Sequence, residues 1–189
     1  IPQDDFVVLI FGGSLGAEKI NDIGLETVNK YGNDDKVTIL FGTGKDYYEY
    51  VKARLTLGGK EAPTNVRVMP YISEMAKMLS ASNVIICRSG ALSTAEVTMA
   101  GRAAIFVPSP NVTGDHQYYN AKAVADNGGA ILITENGDVE LRVLNALKAL
   151  STDTSLLEEM EIGSYKSAPI DATKIICEEI ISDVKARRR

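Results

Sequence analysis

Three stretches of this 189-residue chain bring together residue types suited to holding a phosphorylated, polyhydroxylated ligand. In Arg88-Ser89-Gly90-Ala91-Leu92-Ser93, small and hydroxylated residues lead into a segment of helical spacing, with Glu96 about one turn further on. If Ala91 opens a helix, its unpaired N–H groups and the positive end of its dipole would face an anion. The Glu96 carboxylate could then accept two hydrogen bonds from a ribose diol, although an acid in a first helical turn also complements the dipole of helices that bind nothing. The second stretch, Gly12-Gly13-Ser14-Leu15-Gly16-Ala17, is a glycine-rich turn that allows close backbone approach to a ligand. The third is His116, the only histidine, flanked by Asp115 and Gln117, with Asn120 one turn on. A lone histidine at a helix start commonly serves packing or surface polarity, but these neighbours add the convergent donors and acceptors that a sugar requires. Tyr71-Ile72 follows a short apolar run and suits either core packing or the two sides of a flat base.

Positioning these groups requires strands that end where the polar turns begin. Phe6–Phe11 is continuously apolar, as in a central parallel strand covered on both faces, and Val37–Phe41, Val66–Met69, Asn83–Cys87, Ala103–Val107 and Ala130–Thr134 repeat the pattern. Between them the spacing predicts helices from near Ala17, over Lys45–Leu57, over Glu74–Leu79 with Ser73 as N-cap, over Ala91–Ala100 and from His116. Further helices are expected over Asp138–Leu150, Ser155–Met160 and Ala172–Ala186, and Gly58–Pro63 reads as a loop. Six strands alternating with helices predict a doubly wound α/β domain, a Rossmann-like parallel sheet. Glycine turns after strands one and four place its ligand crevice between those strands. Residues 1–168 then form the binding domain. Residues 169–189 form a terminal helix with an apolar stripe (Ile175, Ile176, Ile180, Ile181, Val184) that packs either on this domain or on another.

Several chemistries do not fit. A dinucleotide fingerprint would require glycine where Phe11 stands and an acid after the second strand, where Gly42-Thr43-Gly44 occurs. Gly44-Lys45 resembles the end of a P-loop, but Ile39 replaces its first glycine and Asp46 its hydroxyl residue, so it reads as a strand-to-helix turn. A net charge of −5 argues against a nucleic-acid surface, and the only basic run is the tail Arg187-Arg188-Arg189. Cys87 and Cys177 have neither metal-ligand nor disulfide-framework spacing, which suits a reducing cytoplasm. No apolar stretch approaches the length of about 18 residues that suggests a membrane span.

In this order and spacing, GGSLGA, CRSGALSTAE, AGRAAIFVPSP and GDHQYYNA resemble the C-terminal half of the MurG family, bacterial peptidoglycan glycosyltransferases of the GT-B fold. The resemblance covers nearly the whole chain and implies a donor-binding domain for UDP-N-acetylglucosamine. It implies that Gly13, Ser14 and Gly16 lie near the phosphates, that Ala91, Leu92 and Ser93 hold phosphate and ribose, and that Glu96 takes the ribose hydroxyls. It assigns the uracil to Tyr71 and Ile72 and the sugar hydroxyls to His116 and Gln117. Some relatives carry Gln at the position of His116 and at that of Leu15. The family's acceptor-binding loop and catalytic base belong to an N-terminal half with no counterpart here, so no catalytic residue is expected in this chain.

The expected activity is therefore the donor half of an inverting transfer of N-acetylglucosamine to a lipid-linked muramyl-pentapeptide. No cofactor is expected. A metal is not expected either, because no carboxylate pair is suitably placed and helix dipoles with backbone N–H groups would stabilise the leaving UDP. The implied partners are an N-terminal acceptor-binding domain and, through it, a lipid-linked acceptor at the cytoplasmic face of the membrane. The alternatives are a non-catalytic UDP-sugar-binding subunit of a split transferase and a related nucleotide-sugar epimerase.

Overall fold

In the computed structural model, which describes residues 1–57 and 62–187, the strands are β1 (Phe6–Phe11), β2 (Val37–Gly42), β3 (Val66–Met69), β4 (Val84–Cys87), β5 (Ala103–Phe106) and β6 (Ala130–Leu132). They form one sheet in the order β3-β2-β1-β4-β5-β6, parallel at every pairing. The expected doubly wound α/β domain is thus observed. Its strand order reverses between β1 and β4, which pair directly with Phe11 opposite Cys87. Their carboxyl ends, and the turns that follow, therefore flank the point where such sheets bind ligands.

The unbroken apolar run of β1 is explained by burial on both faces. Val8 and Ile10 enter one core with Ile20 and Ile23 of α1 (Glu18–Tyr31), Phe41, and Val143 and Leu147 of α6 (Val139–Thr152). Val7, Leu9 and Phe11 enter the other with Leu79 of α3 (Met75–Ser80), Val97 of α4 (Ala91–Met99) and Val124 of α5 (His116–Asp126). Each such fully buried aliphatic side chain stabilises the fold by about 1.5–3 kcal/mol relative to exposure. The two-sided core holds the strand ends, and so the ligand-facing turns, in fixed relation.

Several helices differ from their expected form. The segment after β2 opens as a 3₁₀ turn, Lys45–Tyr47, before α2 (Tyr48–Leu55), because Gly44 enters it with a φ of +82°. Residues 58–61 of the expected Gly58–Pro63 loop, and 188–189 of the basic tail, lie outside the described residues. Glu74, not Ser73, is the N-cap of α3 and makes no side-chain capping bond. The helix expected over Ser155–Met160 extends as α7 from Thr154 to Lys166, capped by Asp153, whose side chain accepts from the Leu156 N–H. α8 (Ala172–Ala186) has no buried residue, and Ile176 and Ile180 are each 58% exposed.

Candidate functional site

The glycine turn after β1 meets the turn after β2 at Gly16 and Gly44, without room for a side chain on either glycine. A Cβ on Gly16 would strike the Thr43 carbonyl, and one on Gly44 would strike the backbone of Leu15 and Gly16. Both glycines have positive φ, +89° and +82°, which glycine adopts without the penalty a Cβ brings. Asn21, buried in the first turns of α1, reinforces the junction by donating from Nδ2 to the Thr43 carbonyl at 3.1 Å. Gly16 therefore builds the turn and does not face the crevice. Gly13, at φ +100°, is exposed, and a Cβ placed on it would meet nothing within 4 Å.

At the carboxyl ends of β1 and β2, facing the helix that follows β4, lies a cavity of about 310 Å³. It brings together Gly13 and Ser14 from the first turn, Tyr71 and Ile72 from the segment after β3, and Leu92, Ser93 and Glu96 from α4. Seven of the eleven residues singled out in the sequence thus share one cavity. Ile72 is buried beneath it, with its Cδ1 2.6 Å from where a Cβ of Gly42 would lie, so core packing and cavity lining coincide in one side chain. Tyr71 is 54% exposed and covers the rim. Phe11, Gly42, Gly44, Pro70 and Met75 also line the space and do not stand out as ligand-binding residues in the sequence. The paired glycines of Gly42-Thr43-Gly44 are a usable signal for two of them.

The structure leaves the remaining four outside this cavity. Besides Gly16, Ala91 lines a separate groove with Thr94 and Asn120, although its backbone begins α4. His116 is exposed, and its Nδ1 lies 3.0 Å from the Thr113 carbonyl. Gln117 accepts the Ser109 N–H through Oε1 at 2.9 Å, while its backbone carbonyl accepts the Ser89 hydroxyl at 2.7 Å. Asn120 completes the link by donating to the Ser89 carbonyl at 3.0 Å. The start of α5 is therefore bound to the turn preceding α4, and neither His116 nor Gln117 lines the cavity.

Electrostatics separate the charges near the edge into fixed pairs. Arg88 donates to the Val107 carbonyl at 3.0 Å and pairs with Glu135, both side chains being about 15% exposed. Lys19 of α1 pairs with Glu140 of α6 at 2.9 Å. The hydrogen bond that Lys19 donates to Glu140 raises the Lys19 pKa, and although burial alone would raise that of Glu140, the same bond, a backbone hydrogen bond and the Lys19 charge bring it below the ordinary value. Cys87, at the end of β4, is fully buried; burial, aided by the nearby charge of Glu96, pushes its thiol pKa up, so it is no nucleophile at neutral pH. Among the described residues, no three His, Cys, Asp or Glu side chains gather as metal ligands, and no helix is long and apolar enough to cross a membrane.

A parallel sheet of this order with its cavity at the reversal point defines a doubly wound α/β domain with a switch-point ligand crevice. The family model "Glycosyltransferase family 28 C-terminal domain" matches residues 7–174, and the chain belongs to that family. It is 36% identical over 181 residues to the UDP-N-acetylglucosamine–N-acetylmuramyl-(pentapeptide) pyrophosphoryl-undecaprenol N-acetylglucosamine transferase of Alkaliphilus metalliredigens, covering 95% of this chain and 49% of that protein. The protein of the same name from Desulforamulus reducens is 36% identical over 168 residues, 88% of this chain and 45% of its own length. The crystal structure of Acinetobacter baumannii MurG matches at a TM-score of 0.79 and 33% identity, covering 96% of this chain and 51% of that one. A UDP-GlcNAc 2-epimerase from Neisseria meningitidis, bound to UDP-GlcNAc, matches at a TM-score of 0.66 and 16% identity, covering 96% of this chain and 45% of that one, a likeness of fold alone. The chain spans about half the length of the curated relatives it matches.

Gln117→Ala provides a test of the sugar assignment. The expected result is a loss of roughly 0.5–1.5 kcal/mol in binding UDP-N-acetylglucosamine, the net worth of one hydrogen bond, with UDP affinity nearly unchanged. Titration calorimetry with both ligands checks this, and equal losses would assign Gln117 to the Ser109 loop or the phosphates.

Proposed function

We propose that this chain is the donor-binding half of an inverting glycosyltransferase that moves N-acetylglucosamine from UDP-N-acetylglucosamine to a lipid-linked muramyl-pentapeptide in peptidoglycan synthesis. The observation that carries this reading is the single cavity joining the glycine turn, Tyr71-Ile72 and Glu96. In it Tyr71 and Ile72 flank the uracil, Glu96 takes the ribose hydroxyls, and the turns at Gly13-Ser14 and Leu92-Ser93 receive the phosphates, with Gly16 and the first N–H groups of α4 from Ala91 supporting them. A volume of about 310 Å³ is at the low end of small-molecule sites, about 300–1,000 Å³, and suits the nucleoside, with the sugar lying outward toward His116 and Gln117.

The chemistry that follows is a division of labour. As the bond from the anomeric carbon to the diphosphate breaks, negative charge grows on the leaving UDP, and preorganised N–H groups at the helix starts stabilise it without reorganising. The attacking acceptor hydroxyl and the base that takes its proton come from a second, N-terminal domain, acting at the cytoplasmic face of the membrane. No cofactor enters this scheme. Identity of 36% to named transferases, against 16% to the epimerase, supports transfer over epimerisation.

Nucleotide selectivity tests the reading. UDP is expected to bind at least about tenfold more tightly than ADP, a difference of about 1.4 kcal/mol, because on this reading the base placed against Tyr71 and Ile72 is a single ring. Equal affinities in calorimetric titrations would sink the uracil assignment.

A further inference from the structure

The cavity has an electrostatic deficit that the side chains named above do not meet. Its ligand is a diphosphate, yet the one charged side chain among its lining residues is the acid Glu96, and the chain as a whole carries a net charge of −5. Helix starts offset part of this, each equivalent to about half a positive charge. The nearby cations Arg88 and Lys19 are already paired, with Glu135 and Glu140. Lys45 differs: it is exposed and forms no ion pair among the described residues. Its Nζ stands 5.9 Å from the centroid of the Tyr71 ring at the cavity rim. Its backbone follows Gly44, which lines the cavity and packs directly on Leu15 and Gly16 of the glycine turn.

We propose that Lys45 is the cation that serves the nucleotide's phosphates, resting on the Tyr71 ring when the cavity is empty and swinging to the diphosphate when it is filled. The backbone holds the root of the side chain beside the turn that faces the phosphates, and the four-carbon stem lets one ammonium reach either position. A cation over an exposed aromatic face is held only weakly, and a charge-assisted contact with phosphate is the stronger of the two. The move therefore costs little and brings a full positive charge to a site otherwise provided with partial ones. The Gly44-Lys45 pair that resembles a P-loop ending in sequence thus acts on phosphate from a different loop geometry. This inference deepens the donor-binding reading and rests on it.

The test is calorimetric titration of the whole chain and of Lys45→Met and Lys45→Arg with UDP and with uridine. The Met variant is expected to bind UDP about five- to tenfold more weakly and uridine within about twofold of the unsubstituted chain, while the Arg variant keeps most of the affinity. The UDP penalty should shrink when ionic strength rises from about 20 mM to about 500 mM, as screening predicts. An unsubstituted chain that binds UDP while Lys45→Met binds it equally well would overturn the role of Lys45 and leave the donor reading standing. Equal losses for UDP and uridine, or equal losses in the Met and Arg variants, would also overturn it, assigning the lysine to Tyr71 or to the fold. Failure of the unsubstituted chain to bind UDP at all would overturn both readings together.

Discussion

Glu96→Ala is expected to weaken UDP binding by about 1.5–3 kcal/mol, roughly ten- to a hundred-and-fifty-fold, the usual worth of hydrogen bonds to a charged group. Glu96 lies one turn into α4, partly buried, with its carboxylate on the cavity and close enough to Cys87 for its charge to be felt there. Its position on a helix anchored by buried Val97 and Thr98 fixes its backbone before ligand arrives, so the ordering left to the contact is that of the side chain. The discriminating ligand is a 2′,3′-dideoxyuridine diphosphate, which lacks the hydroxyls. Its affinity should change much less on substitution, and it should bind the unsubstituted chain about as weakly as UDP binds the variant. If both ligands lost the same amount, Glu96 would serve the helix and not the ribose. Thermal unfolding of the variant, measured alongside, reports any loss of fold stability separately.

The largest expected effect is the absence of turnover. The 189 residues alone should bind donor yet show no measurable sugar transfer to a lipid-linked muramyl-pentapeptide, a loss of many orders of magnitude. Acceleration requires interactions that strengthen in the transition state: a base for the acceptor hydroxyl and a surface holding that hydroxyl in line with the anomeric carbon. His116 is the one histidine, and it stands exposed outside the cavity with Nδ1 against the Thr113 carbonyl. Adding a separately produced N-terminal half from a relative should restore transfer that neither piece shows. The stripe of α8, with Ile175, Ile176, Ile180 and Ile181 each more than half exposed, would be the docking surface if that half packs on it. Ile176→Asp with Ile180→Asp should then abolish restoration while leaving UDP binding by the chain unchanged. Robust transfer by the chain alone would overturn this division of labour.

The local part of this molecule was legible in its residues. Continuous apolar runs of β-branched and aromatic residues suit strands buried on both faces, and glycine turns after Phe11 and Cys87 end them with backbone free to meet a ligand. These properties depend on neighbours in the chain, so six strands, their helices and a crevice between the first and fourth strands could be read without coordinates. What depended on residues distant in sequence could not. That Gly44 closes against Leu15, that Ile72 lies under Gly42, and that Arg88 finds Glu135 are consequences of strand order and helix placement, with no periodicity to announce them. The same long-range packing turns Gly16 from a ligand-facing glycine into a joint between two loops, and it sets Ala91 on one groove and Leu92 and Ser93 on another. Residue type determines what a side chain is able to bind. Which side chains share a cavity is decided by the strand order, because it sets which turns and helix starts meet at the carboxyl edge of the sheet.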